Sequence, residues 1–253
     1  MMYDLQKASV GKRISAALFD FILLGILAVA FAFLISVIVG YDNHTEKLET
    51  LQVQYEQSYG VDFDIEREEY DKLSEADRQY LDDAYAAFGQ DEEVAYVYTL
   101  LTNLMLVMTS LSLFLSFLIL EFSVPFFFGN GQTLGKKIFG IGVMRSEGIR
   151  LDTRAHFIRI LLGKYTVETM VPLLMLFLIW FGNMALTGIV VIGGILILEL
   201  YSVASTKTNS TIHDLFSDSV VVDLQTQMIF ETKEELIAYK QRIAAERAQS
   251  SPY

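Results

Sequence analysis

Long apolar runs alternate with polar, helix-patterned stretches along this chain, and the alternation predicts a bundle of four membrane-spanning helices. Residues 14–39 read ISAALFDFILLGILAVAFAFLISVIV, twenty-six residues carrying one charge. A bilayer core takes about 20 apolar residues in a helix, so this run spans with some tilt. A second run covers 96–121 and opens on Tyr96 and Tyr98, aromatic anchors for an interface. Two shorter runs, 166–181 and 189–204, flank the turn-like GNMALTG and are read as two spans rather than a re-entrant hairpin.

The polar stretches follow helical spacing as well. In 41–95, Leu48, Leu51, Tyr55 and Tyr59 recur on one face, as do Leu73, Tyr80, Ala84 and Phe88. Ser74 with Asp77 three residues later marks a capped start for the second of these helices. At 55 residues the stretch is small for a core of its own, so a helical hairpin is expected. A last polar helix begins at Lys233, with Thr232 and Glu235 as a capping box. The predicted class is an all-α integral membrane protein with a helical insertion. Its parts are 1–40, a basic segment and first span; 41–95, the insert; 96–223, the remaining membrane core; and 224–253, the tail helix.

Composition agrees with a membrane chain, since 53% of the 253 residues are apolar and 18 are Phe. The net charge of −12 is local. Residues 41–95 hold seventeen acids against four bases, while the rest of the chain sums to about +1. Basic residues gather in 1–13, in 122–164 and in the tail (Lys207, Lys233, Lys240, Arg242, Arg247), so the positive-inside rule puts those segments in the cytoplasm and the acidic insert outside. Ala28-Val29-Ala30 mimics a signal-peptide cleavage site, but the apolar run continues nine residues beyond it, which favours an uncleaved span. There is no cysteine, which excludes disulfides and thiolate chemistry.

The candidate chemistry lies in charges placed against apolar surroundings. Asp20 interrupts the first span, and Glu121, Glu168 and Glu199 lie in or beside the others. With the proposed threading these acids form a ring near the cytoplasmic mouth. Acids at such depth either pair with Lys or Arg or line a cation path. Arg13, Lys136, Lys137, Arg159 and Lys164 suffice to neutralise them, which makes structural ion pairing the leading expectation. Arg13 and Asp20, seven residues apart, share a helix face at about 10 Å and need separate partners. Lys136, Lys137 or the backbone amides of the glycine-rich turn are the candidates for Asp20.

Other motifs dissolve on inspection. GNGQTLGKKIFG lacks the Walker pattern, since Asn130 stands where glycine is needed and Lys137 where Ser or Thr binds magnesium. It is expected instead as an amphipathic basic helix lying on anionic inner-leaflet lipid, pressed there by Lys136, Lys137, Arg145 and Arg150. His44, His156 and His213 lack ligand spacing for zinc. Asp62, Asp64 and Glu66 imitate a calcium loop, but Arg67 replaces its glycine. Ser210, Thr211, His213 and Asp214 are triad letters crowded into one short segment. No catalytic residue, cofactor, metal or nucleic-acid site is expected.

Three stretches in order, KRISAALFDFILLGIL, GQTLGKKIFGIGVM and TIHDLFSDSVVV, resemble the RDD family of small bacterial membrane proteins. The resemblance covers 7–39 and about 100–223, with 41–95 as an insertion. It implies that the family's arginine and two aspartates are Arg13, Asp20 and Asp214, the last tying the tail to the inner face. With Glu121, Lys136, Lys137, Glu168 and Glu199 they make the expected charged cluster. Two functions follow: a plasma-membrane transporter or transport accessory for a small cation or other solute, or a non-catalytic scaffold acting through insert and tail. Four spans enclose little, so the first implies a homo-oligomer or a membrane protein partner.

Overall fold

The computed structural model describes residues 6–182 and 184–250, so Asn183 of the expected turn and the first five residues of the basic N-terminus lie outside the described residues, as does the side chain of Arg247. Among the described residues, four helices are long and apolar enough to cross a membrane: Val10–Val39, Glu92–Phe128, Thr153–Trp180 and Ala185–Ser205. An all-α membrane fold is therefore observed. The second span is longer than its apolar core, and the third begins well before it. Residues 122–128 and 153–164 are thus helix, not loop, and Arg154, Arg159 and Lys164 belong to the third span.

The chain divides into two compact units. One, residues 28–112, contains the insert, and its helices Tyr41–Tyr59 and Glu75–Gln90 pack around Phe63, Leu81 and Ala84. Tyr55, Tyr59, Leu73 and Phe88 close over that centre, whereas Tyr80 faces out. Ser74 caps the second helix by accepting from the Asp77 amide at 3.2 Å. Gly40, in the left-handed conformation, breaks the first span from the helix after it.

The other unit, 1–27 with 113–253, holds the three motif stretches. A two-stranded antiparallel sheet stands in it that helical spacing did not foretell. β1 (Ile141–Arg145) pairs with β2 (Ser219–Asp223), Ile141 opposite Asp223 and Arg145 opposite Ser219. The Ala8 amide donates to the Val221 carbonyl and extends the sheet toward the N-terminus. Ile141, Val143, Met144 and Val220–Val222 are buried, so this little sheet is a core and not an edge on the surface. The basic stretch is therefore not one amphipathic helix: its helical part after the glycine turn is only Leu134–Ile138 before β1 begins. β-branched and apolar residues over four positions favour a strand once a partner of the same kind is present.

Two spans are widened into π-helix, at Leu118–Ser123 and Ile158–Met170. Each precedes a proline, Pro125 or Pro172. A proline ring clashes with the carbonyl four residues before it, and a helix escapes by shifting to longer hydrogen bonds. Those carbonyls belong to Glu121 and Glu168. Hydroxyls serve carbonyls five residues back: Ser123 donates to Leu118 and Thr169 to Lys164. Among the described residues, π-helix occurs only where these two acids sit.

Candidate charged site

Asp214 is the centre of the cluster and is fully buried. It lies on the short helix Ile212–Phe216, where Thr211 and Asp214 form a reciprocal capping box, the Thr211 amide donating to Asp214 Oδ2 at 3.1 Å. The same oxygen receives Arg13 Nη2 at 2.6 Å. Arg159 Nη1 stands 2.5 Å from Oδ1, a charge contact that lacks hydrogen-bond alignment, and donates to the Ser219 hydroxyl at 2.6 Å. Burial pushes the Asp214 carboxyl up, but Arg159, His213 and Arg13 outweigh it and hold the group far below the usual carboxylate range.

Arg13 also donates to the Asn209 carbonyl at 2.5 Å, so one guanidinium ties the first span to the segment after the fourth. His213 meets Glu168: the backbone amide donates to Oε1 at 2.9 Å and Nδ1 lies 2.8 Å from Oε2. Its Nε2 is 3.0 Å from the Thr211 hydroxyl. Burial and then Arg159 push the imidazole pKa down despite both acids, which fits a neutral ring donating from Nδ1 and accepting at Nε2. Glu199 accepts from the Ile212 amide at 3.0 Å. Gly163 allows the third span to approach this helix, because a Cβ there would sit 2.5 Å from the His213 Cβ.

Asp20 has a separate partner, as the spacing to Arg13 required. It accepts from the Thr133 hydroxyl at 2.5 Å and from the Gly135 amide at 2.7 Å. Of the expected partners, the backbone of the glycine turn is the one used, joined by the Thr133 hydroxyl. Gly135 is needed: a Cβ would come within 2.9 Å of the Asp20 carboxylate and closer still to the Ala16 carbonyl. Thr133 also caps Leu134–Ile138.

Glu121 is buried and pairs with Lys164, while its Oε2 has no hydrogen-bond partner. Lys136, half-buried, donates from Nζ to the Thr133 hydroxyl at 3.2 Å. No carboxylate lies within ion-pair distance of Lys136 among the described residues. Burial lowers its pKa to about 8, with help from Lys164 and Arg159 and against Glu121 and Asp20. Lys137 does not join the cluster; it is exposed, its Nζ 3.8 Å from the Phe128 ring centroid. Arg145 and Arg150 turn to protein as well, to the Ser217 carbonyl and to Glu231.

A cavity of about 520 Å³ opens beside these groups. Its apolar wall is Val10, Ile14 and Ala17 of the first span with Leu200, Val203 and Ala204 of the fourth. Its charged wall is Arg13, Lys136, Arg159 and Lys164 against Asp20 and Glu199. In the other unit, carboxylate oxygens of Glu56, Asp62 and Asp64 lie within 4.8 Å of one another; Glu66 of the suspected calcium loop is not among them. Glu56 there accepts from the Phe63 amide and Asp62 from the Asp64 amide, so turn geometry accounts for the approach.

With Arg13, Asp20 and Asp214 so placed, the comparison with known families is decisive: the RDD family model matches residues 7–218. The chain belongs to the RDD family. Neither a curated protein nor a solved structure matches it. In this RDD chain Asp20 anchors a glycine turn, and Asp214 pairs with both Arg13 and Arg159. Arg159 stands out only as one basic residue among several, His213 only as a lone histidine and a triad letter, and Thr133 only as part of the glycine-rich stretch. Their roles come from the fold, which brings 133, 159 and 213 to positions no spacing rule connects.

Proposed function

We propose that this RDD chain is a transport protein of the bacterial plasma membrane, or an accessory to one, holding a small solute in the cavity between its first and fourth spans. The cavity carries the reading: about 520 Å³ falls in the range of small-molecule sites, with apolar walls and a few convergent polar groups. Asp20, Glu121, Glu168 and Asp214 are all engaged by donors, so they build the wall and do not line a bare cation path. Glu199 is the lining carboxylate outside any ion pair among the described residues, which makes it the candidate contact for a moving cation. The basic segments, next to anionic inner-leaflet lipid, orient both termini to the cytoplasm and the acidic insert to the outside.

Vesicles containing the purified chain and proton- and sodium-sensitive dyes test this. Flux above that of empty vesicles, lost in Ala17→Trp, which fills the cavity, and in Glu199→Gln, is expected. Flux equal to empty vesicles, or flux untouched by either change, overturns it.

A further inference from the structure

We infer that the cavity between the first and fourth spans binds an amphipathic anion, a single aliphatic chain ending in a carboxylate or phosphate, with Lys136 as its head-group contact. The inference goes beyond transport and holds whether or not the chain moves a cation.

Four basic side chains line the cavity against two carboxylates. Arg13 and Arg159 are committed to Asp214, and Lys164 to Glu121. Both Asp20 oxygens are occupied by Thr133 and Gly135. What the wall leaves over is the Lys136 ammonium, held only by a hydroxyl, and Glu199, one oxygen of which accepts the Ile212 amide, so Lys136 is the cation on offer. A flexible ammonium accepts an anionic oxygen without demanding planar geometry. Opposite it the wall is aliphatic: Ile14, Ala17, Leu200, Val203 and Ala204 present no polar side-chain atom. Ile14 and Leu200 are also exposed on the flanks of their helices, so the apolar wall continues into the surface that faces lipid. An aliphatic tail enters along that continuous surface and loses nothing by leaving the bilayer, while its head exchanges the interface for Lys136. A small inorganic anion would leave the aliphatic wall uncovered.

The test uses full-length protein in phosphatidylcholine nanodiscs and two photoreactive probes, diazirine-labelled dodecanoate and diazirine-labelled dodecylamine, with cross-links mapped by mass spectrometry. The dodecanoate probe is expected to label peptides containing Ile14 or Leu200 saturably. Unlabelled dodecanoate or dodecyl phosphate should compete, and inorganic phosphate should not. Lys136→Gln should weaken this labelling at least tenfold, and Ala17→Trp, which leaves every charge in place, should abolish it. Nanodiscs with phosphatidylglycerol separate the sources: competition by that lipid assigns the site to a membrane lipid, its absence to a free acyl anion. Equal labelling by dodecylamine, or saturable labelling indifferent to Lys136→Gln in protein that melts like wild type, overturns the inference. If Lys136→Gln fails to fold, unaltered labelling of Ala17→Trp overturns it instead.

Discussion

At Asp214 a single fully buried carboxylate faces two guanidinium groups. Removing one partner of such a buried set leaves charge without compensation and costs about 3–5 kcal/mol. Asp214→Asn should therefore lower thermal stability in detergent by that order, more than any other carboxylate in the cluster. The pH dependence follows from the depressed folded-state pKa of Asp214. Its contribution is complete above the unfolded-state value near 4 and fades as pH falls toward the lower folded one. Wild type should accordingly lose stability steeply with acid while Asp214→Asn shows a flatter profile, read by melting temperature between pH 6 and pH 3. Asp20 binds two neutral donors rather than two cations. Asp20→Asn should cost less, about 1.5–3 kcal/mol for hydrogen bonds to a charged group. An unchanged melting temperature with altered flux would instead assign Asp20 to the transport path.

Among elements, the third span shows how sequence and neighbour jointly set a helix. Pro172 widens it, and Gly163 lets it press against the helix that carries His213. Gly163→Ala should push the two apart at a cost of about 1–3 kcal/mol, as overpacking does, and should loosen the His213–Glu168 contact. A melting temperature equal to wild type would show that the gap closes by other means. Helices with their own periodicity or apolar length, such as the first span and the hairpin of the insert, were legible in the sequence. β1 and β2 were not, because IGVM and SVVV lie 78 positions apart and each reads as an ordinary apolar patch until the other is beside it. The long helix expected over this stretch is cut short for the same reason: the charges of Lys136 and Lys137 are plain in the sequence, and the strand that follows them is not. Asp20 announced itself by its cost in an apolar run, but its partner Thr133 looks like any other threonine.

For the molecule as a whole, topology is the claim that experiment decides first. The chain has no cysteine, so an introduced one is the sole thiol. Ser58→Cys should react with an impermeant maleimide in intact cells, and Ala244→Cys only after the membrane is opened. The opposite pattern would invert the orientation. Membership of the family is carried by three ordered stretches on either side of 41–95, and neither hydropathy nor charge alone specifies it.

The distance along the chain between Arg13 and its partner has a consequence for biosynthesis. Asp214 follows Arg13 by 201 residues, and Thr133 follows Asp20 by 113. At roughly 5–20 residues per second, the first helix waits on the order of 10–40 s from its own synthesis until its counter-ion is made. The newborn helix must therefore be held at the membrane with an orphan arginine and an orphan aspartate, a state that insertases and quality-control proteases are equipped to notice. A nascent chain cut short after its fourth span would possess every crossing and still lack the residue that locks the first one.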